Sequence, residues 1–112
     1  MTAVPAVDLD RTLAALADPR RRLVVDLLRD RPRRAGELAE AAGLGPAAMS
    51  RHLRTLRASG LVEETHPEFD ARVRVYALRP EPMAHLKAWL ERTERLWTEQ
   101  LASFKAHVER TP

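Results

Sequence analysis

The sequence predicts a mainly α chain with one small antiparallel β-hairpin, and three observations carry that prediction. The stretch Gly45-Pro46-Ala47-Ala48-Met49-Ser50-Arg51-His52-Leu53-Arg54-Thr55-Leu56-Arg57-Ala58-Ser59-Gly60-Leu61 has a helix start, an apolar stripe and a stop. Proline is tolerated in a first turn, glycine supplies a left-handed end, and Met49, Leu53 and Leu56 recur at spacings of four and three. After it, Leu61 to Thr65 has strand character, and Ala71 to Leu78 alternates with period two. Finally, the chain runs from Pro82 to Arg110 without another proline or glycine, with apolar residues recurring every three or four positions.

Composition sets the outer limits. A chain of 112 residues has room for one domain with an extension, hardly for two cores. Aromatics make up only 4% of it, so the core must be built from Leu, Ala and Val. The absence of cysteine excludes disulfides, thiolate metal sites and cysteine redox sensing. Asp8, Asp10 and Asp18 interrupt the first twenty residues, which rules out a signal peptide, and no apolar run approaches a membrane span. A cytoplasmic protein without membrane association is expected. The net charge of +3 favours a polyanionic partner; residues 80 to 112 hold five basic and five acidic side chains, so the whole excess lies before them.

In chain order, residues 1 to 8 form a flexible N-terminus. Asp8 or Asp10 caps a first helix on which Leu9, Leu13, Leu16 and Ala17 recur at helical spacing. A second helix starts at Pro19 and runs to about Arg29, with Leu23, Val24, Leu27 and Leu28 inward. Arg20, Arg21 and Arg22 oppose the dipole at its N-terminus, which calls for a phosphate backbone nearby or for Asp18 and Asp26 as local partners. A charged connection, Asp30 to Arg34, leads to a small helix whose Leu38, Ala39 and Ala42 form a packing face and whose end is Gly43. Two compact helices joined by a tight turn make a helix-turn-helix. With the hairpin behind it, the arrangement is a winged helix-turn-helix spanning residues 9 to 79.

The helix from Pro46 to Ser59 has a second line of residues facing away from its apolar stripe. Small side chains at its start (Pro46, Ala47, Ser50) permit close approach, while Arg51, Arg54 and Arg57 can reach guanine edges or phosphates. His52, between the two faces, is expected half-buried and hydrogen-bonded, with a phosphate contact as the alternative. On the hairpin, Val73, Val75 and Ala77 face inward, leaving Arg72 and Arg74 outward as further DNA contacts. Glu68 and Asp70 near the tip repel DNA, so the wing must approach from its flank.

The last element is a long helix over residues 80 to 110, with a seam of Met83, Leu86, Leu90, Thr93, Trp97, Leu101, Phe104 and Val108. About thirty residues span roughly 45 Å, longer than the body available to cover them. Self-association is the economical solution. It puts Leu86, Leu90, Thr93, Trp97, Leu101 and Phe104 in a homodimer interface, with two reading helices one DNA turn apart. The competing arrangement is a helix broken near Arg92 to Leu96 that folds back on itself. If the long helix were instead the functional surface, the protein would be an interaction adaptor without an operator.

Catalytic, cofactor and metal sites are not expected. His85 and His107 lie 22 residues apart on one helix, about 33 Å by helical rise, too far to share an ion. His66 and Asp70 fit a turn hydrogen bond, and Ser50 has neither a base nor an orienting acid assigned to it.

Thr12-Leu13-Ala14-Ala15-Leu16-Ala17-Asp18-Pro19-Arg20-Arg21-Arg22-Leu23, Gly36-Glu37-Leu38-Ala39 and the run from Met49 to Val62 together resemble the ArsR-type winged-helix regulators, over about residues 9 to 110. The resemblance implies a homodimeric repressor that binds a double-stranded operator, an inverted repeat, until a small-molecule or protein effector releases it. It places Ser50, Arg51, His52 and Arg54 on the recognition helix and assigns the first and last helices to the dimer. The Trp-bearing final helix resembles the non-metal-sensing branch often encoded beside SRPBCC-type proteins. Two departures stand out: the family's metal-binding Cys and Asp/His/His/Glu sets are not reproduced, and Pro67-Glu68-Phe69-Asp70 replaces a Gly/Arg-rich wing.

Overall fold

Asp8 starts the first helix, α1 (Leu9–Leu16), its carboxylate accepting from the Arg11 N–H at 3.2 Å. Asp18 repeats the device for α2 (Pro19–Leu28), accepting from the N–H groups of Arg20 and Arg21 at 2.7 and 3.3 Å, with Pro19 at the first turn. In the computed structural model, which describes residues 8–67, 70 and 72–110, these are followed by β1 (Arg33–Arg34), α3 (Ala35–Ala42), α4 (Pro46–Ala58), β2 (Val62–Thr65), β3 (Val75–Leu78) and α5 (Pro80–Arg110). Residues 1 to 7, Glu68, Phe69 and Ala71 lie outside the described residues, and with them the expectations for the N-terminus and the wing tip.

The turn between α3 and α4 is set by Gly43, whose φ of 66° places it in the left-handed region that a Cβ disfavours. Gly60, at φ 80°, ends α4 in the same way. Between these stops α4 buries Met49, Leu53 and Leu56, as its spacing predicts; Leu53 is 1% exposed. They join Val24, Val25 and Leu28 of α2, Leu38 and Ala39 of α3, and Leu61, Val62 and Tyr76 beside or within the strands. This is the helix-turn-helix with its wing, and it matches the predicted fold class.

Four expectations are corrected. On α1 the inward residues are Thr12 and Ala15, while Leu13 is exposed. Small side chains let α1 lie close to the core, and the Thr12 hydroxyl is satisfied by the Asp8 carbonyl at 3.2 Å. On α2 Val25 is buried in place of Leu23. The sheet has three strands, in the order β1-β3-β2, all antiparallel, because Arg33 and Arg34 pair with Tyr76 and Val75. Finally, β3 begins only at Val75, and its buried residue is Tyr76, 2% exposed, with Val73, Val75 and Ala77 half-buried. The aromatic ring offers more apolar area than either valine, and its hydroxyl finds a partner at the core boundary, donating to Glu64 at 3.1 Å.

The arginines at the start of α2 have a reason that composition alone did not reveal. Arg21 donates to the carbonyls of Ala15 (2.6 Å) and Ala14 (3.2 Å), and Arg22 to that of Leu16 (2.7 Å). They saturate the C-terminal end of α1, where the dipole favours positive charge. Arg33 serves α2 likewise through the Leu27 carbonyl at 2.8 Å. Of the two predicted local acids, only Asp18 is engaged by this group, 3.9 Å from Arg21.

α5 is continuous over 31 residues, so the broken-helix alternative is not adopted. It rests on α1 and buries only Pro82 and Leu86. Leu86, 8% exposed, is an anchor to its own core. That removes it from the predicted dimer surface. Beyond it Leu90, Leu96, Trp97, Leu101, Phe104 and Val108 are exposed, Trp97 to 63% and Phe104 to 66%. The chain measures 73 × 43 × 21 Å with a radius of gyration of 19.5 Å. A compact domain of this length has a radius near 13 Å, and the projecting helix accounts for the difference.

Replacing Leu53 by Ala removes a fully buried side chain from the centre of this core. A loss of about 2–5 kcal/mol is expected in a chemical-denaturation titration.

Candidate nucleic-acid interface

With Met49, Leu53 and Leu56 buried, the opposite side of α4 faces solvent by necessity. Pro46, Ala47, Arg51, Arg54 and Arg57 are exposed there, and Ser50 is half-buried. Among the described residues the side chains of Arg51 and Arg54 have neither hydrogen bond nor ion pair. Pro46 begins the helix, so the small side chains of its first turn leave room for a bulky surface, with the guanidinium groups one to two turns further along.

Where α4 meets the hairpin there is a polar cleft of about 70 Å³ lined by Ser50, Arg54, Arg57, Glu64, Arg74 and Tyr76. The predicted DNA contacts Ser50, Arg54 and Arg74 are therefore neighbours, with Arg74 on the side of Tyr76 and facing α4. Arg57 is different: its guanidinium sits 2.7 Å from Glu64 Oε2. Among the predicted DNA contacts on α4 it is the one that is ion-paired to the wing. The same oxygen accepts from Tyr76, while Oε1 lies 3.4 Å from His66 Nε2. Burial pushes the Tyr76 phenol above its ordinary range, and the neighbouring Glu64 charge pushes in the same direction. Sequence reading missed Glu64 because an acid in a surface strand normally reads as solvated; its spacing of seven from Arg57, across a glycine stop, was the available signal.

The Arg72 side chain is 92% exposed. Asp70 accepts from its backbone N–H at 2.9 Å and from Nε at 3.2 Å, which holds the Asp70 carboxyl below its usual range. An exposed pair of this kind contributes little to stability, and a phosphate can displace the aspartate. His66 binds the Val73 carbonyl through Nδ1 at 3.0 Å, across the loop, in place of the predicted bond to Asp70.

His52 is half-buried, as expected, but among the described residues it has no hydrogen bond. It faces Asp18 instead. The Asp18 carboxyl is held low chiefly by the Arg20 N–H, with the Arg21 N–H and the charge on His52 adding to the effect. Among the described residues no cluster of three or more His, Asp or Glu could hold a metal ion, and no helix is long and apolar enough to cross a membrane.

The sequence model described as the bacterial regulatory protein, arsR family, matches residues 18–64, which run from the α2 cap to Glu64. The HTH-type transcriptional regulator Rv2034 of Mycobacterium tuberculosis is 36% identical over 100 residues, spanning 89% of this chain and 88% of its own. This chain belongs to the arsR family. An ArsR-like transcriptional regulator from Rhodococcus sp. RHA1 has a TM-score of 0.81 at 27% identity, with both chains covered in full. A homodimeric winged helix-turn-helix DNA-binding domain from Mycobacterium bovis, Mb0332, has a TM-score of 0.61 at 28% identity over 82% of each chain. The full-length match extends the likeness of the arsR family to α5, beyond the segment that the family model covers.

Asp18→Asn keeps a capping side chain but removes its titration. Because the folded chain keeps Asp18 ionised to lower pH than an unfolded chain does, its contribution is complete above the carboxylate range and is lost on acidification. In thermal unfolding across pH, the variant should be the less stable at neutral pH, and the gap should close as pH falls through the folded value.

Proposed function

We propose that this chain is a sequence-specific DNA-binding transcriptional regulator, a homodimeric repressor that lays α4 of each copy in the major groove of one half of an inverted-repeat operator. The observation that carries the reading is the division of α4: a fully buried stripe fastens it to the core, while Arg51 and Arg54 stand unengaged on the opposite face. Bidentate arginine contacts to guanine supply specificity, and phosphate contacts supply register. Arg72 and Arg74 extend the basic surface to the hairpin. His52 borders the recognition face. Working on chromosomal DNA places the protein in the cytoplasm.

The dimer follows from α5. A seam of Leu90, Thr93, Trp97, Leu101 and Phe104, exposed along a projecting helix, is an apolar surface of the kind that a second copy covers. Leu9 and Leu13, on the helix that α5 packs against, are assigned to the same interface. The Mycobacterium bovis relative is homodimeric, which supports the same assembly here. Release from the operator is assigned to an effector, a small molecule or a protein.

Binding of the pure protein to a duplex selected from a randomised pool, compared with a scrambled duplex across a salt series, tests the reading. Equal affinity for both overturns it. Arg54→Ala should lose about 1–3 kcal/mol on the selected duplex and relax its sequence preference, whereas Arg72→Ala should weaken both duplexes alike. Sedimentation should give a dimer for the wild type and a monomer for Trp97→Glu; a monomeric wild type refutes the assembly.

A further inference from the structure

The tie between the recognition helix and the wing does more than join two elements. Among the described residues Glu64 is the sole carboxylate lining the cleft, its side chain is only 12% exposed, and Oε2 is shared by the Arg57 guanidinium at 2.7 Å and the Tyr76 hydroxyl at 3.1 Å. His66 covers Oε1 at 3.4 Å. A carboxylate occupied in this way cannot serve as an acceptor for cytosine. Its effect on DNA passes through its neighbours.

We propose that Glu64 is a positioning residue that determines DNA specificity by holding Arg57 against the wing and away from the phosphate backbone. The inference rests on the DNA-binding reading given above. A free arginine at the end of a recognition helix neutralises a phosphate on any sequence, which raises affinity without adding discrimination. Held by Glu64, Arg57 leaves Arg51 and Arg54 as the two uncommitted cations of α4. Tyr76 belongs to β3 and Glu64 to β2, and both hairpin strands are therefore locked to α4 by one side chain.

The test uses the full chain with the selected and scrambled duplexes. Glu64→Gln retains shape and an acceptor for Tyr76 but gives up the charge that holds Arg57. Affinity for the scrambled duplex should rise severalfold, the salt dependence on it should steepen by about 0.9 in log–log slope, one phosphate's worth, and the ratio of selected to scrambled affinity should fall. Arg57→Ala should leave the salt slope of the wild type unchanged, and in that background Glu64→Gln should alter neither slope nor ratio. Arg57→Ala also covers the case in which Glu64→Gln fails to fold: a slope reduced by about 0.9 would make Arg57 a phosphate contact and overturn the proposal. An equal loss on both duplexes with unchanged slope would reduce Glu64 to a structural role and overturn it too. If the wild type binds neither duplex, the DNA-binding reading itself fails, which is a separate result.

Discussion

Everything that matters in this molecule depends on the burial of one face of α4. Met49, Leu53 and Leu56 are enclosed by residues from α2, α3 and the segment around Leu61 and Val62, and side chains so enclosed cannot rotate the helix without opening a void. The outer face is consequently held in a single orientation by the core, before any contact with DNA is considered. Reading a groove requires base-contacting groups carried on a rigid support, and here the support is the same hydrophobic contact that folds the domain.

Charge is distributed with equal economy. The chain has 19 Lys and Arg, yet several of these are committed to internal duties: Arg21 and Arg22 close the end of α1, Arg33 closes α2, and Arg57 is neutralised by Glu64. Arg51 and Arg54 have no such duty among the described residues. A tally of basic residues therefore overstates the number of cations available to a polyanion.

The domain and its long helix have different degrees of completeness. The core has no buried side-chain polar atom without a partner among the described residues, and its helices are capped by Asp8, Asp18 and the two glycines. α5 by contrast leaves Trp97 and Phe104 largely in solvent. Burying such rings is worth about 1.5–3 kcal/mol each by area, a driving force that one copy of the chain leaves unused.

The sequence by itself determined the helices, their stops and the polarity of α4, because these are local matters: Pro46, Gly43 and Gly60 act through their own dihedral angles, and a spacing of four and three defines a face wherever the helix lies. It also pointed to the family, since each of the motifs between Thr12 and Val62 is a short local run of residues. Only the tertiary structure decided the roles that depend on distant partners. Thr12 and Ala15 are the buried residues of α1, while Leu13 stays exposed. Tyr76 displaces Val75 because Glu64 stands ready for its hydroxyl, and Arg33 becomes part of a strand because β3 offers an open edge. Arg57, on the face that periodicity assigns to DNA, is turned toward the wing by an acid seven residues later. Periodicity names the side of a helix on which a residue stands; which neighbour claims its charge is settled when the chain folds back on itself.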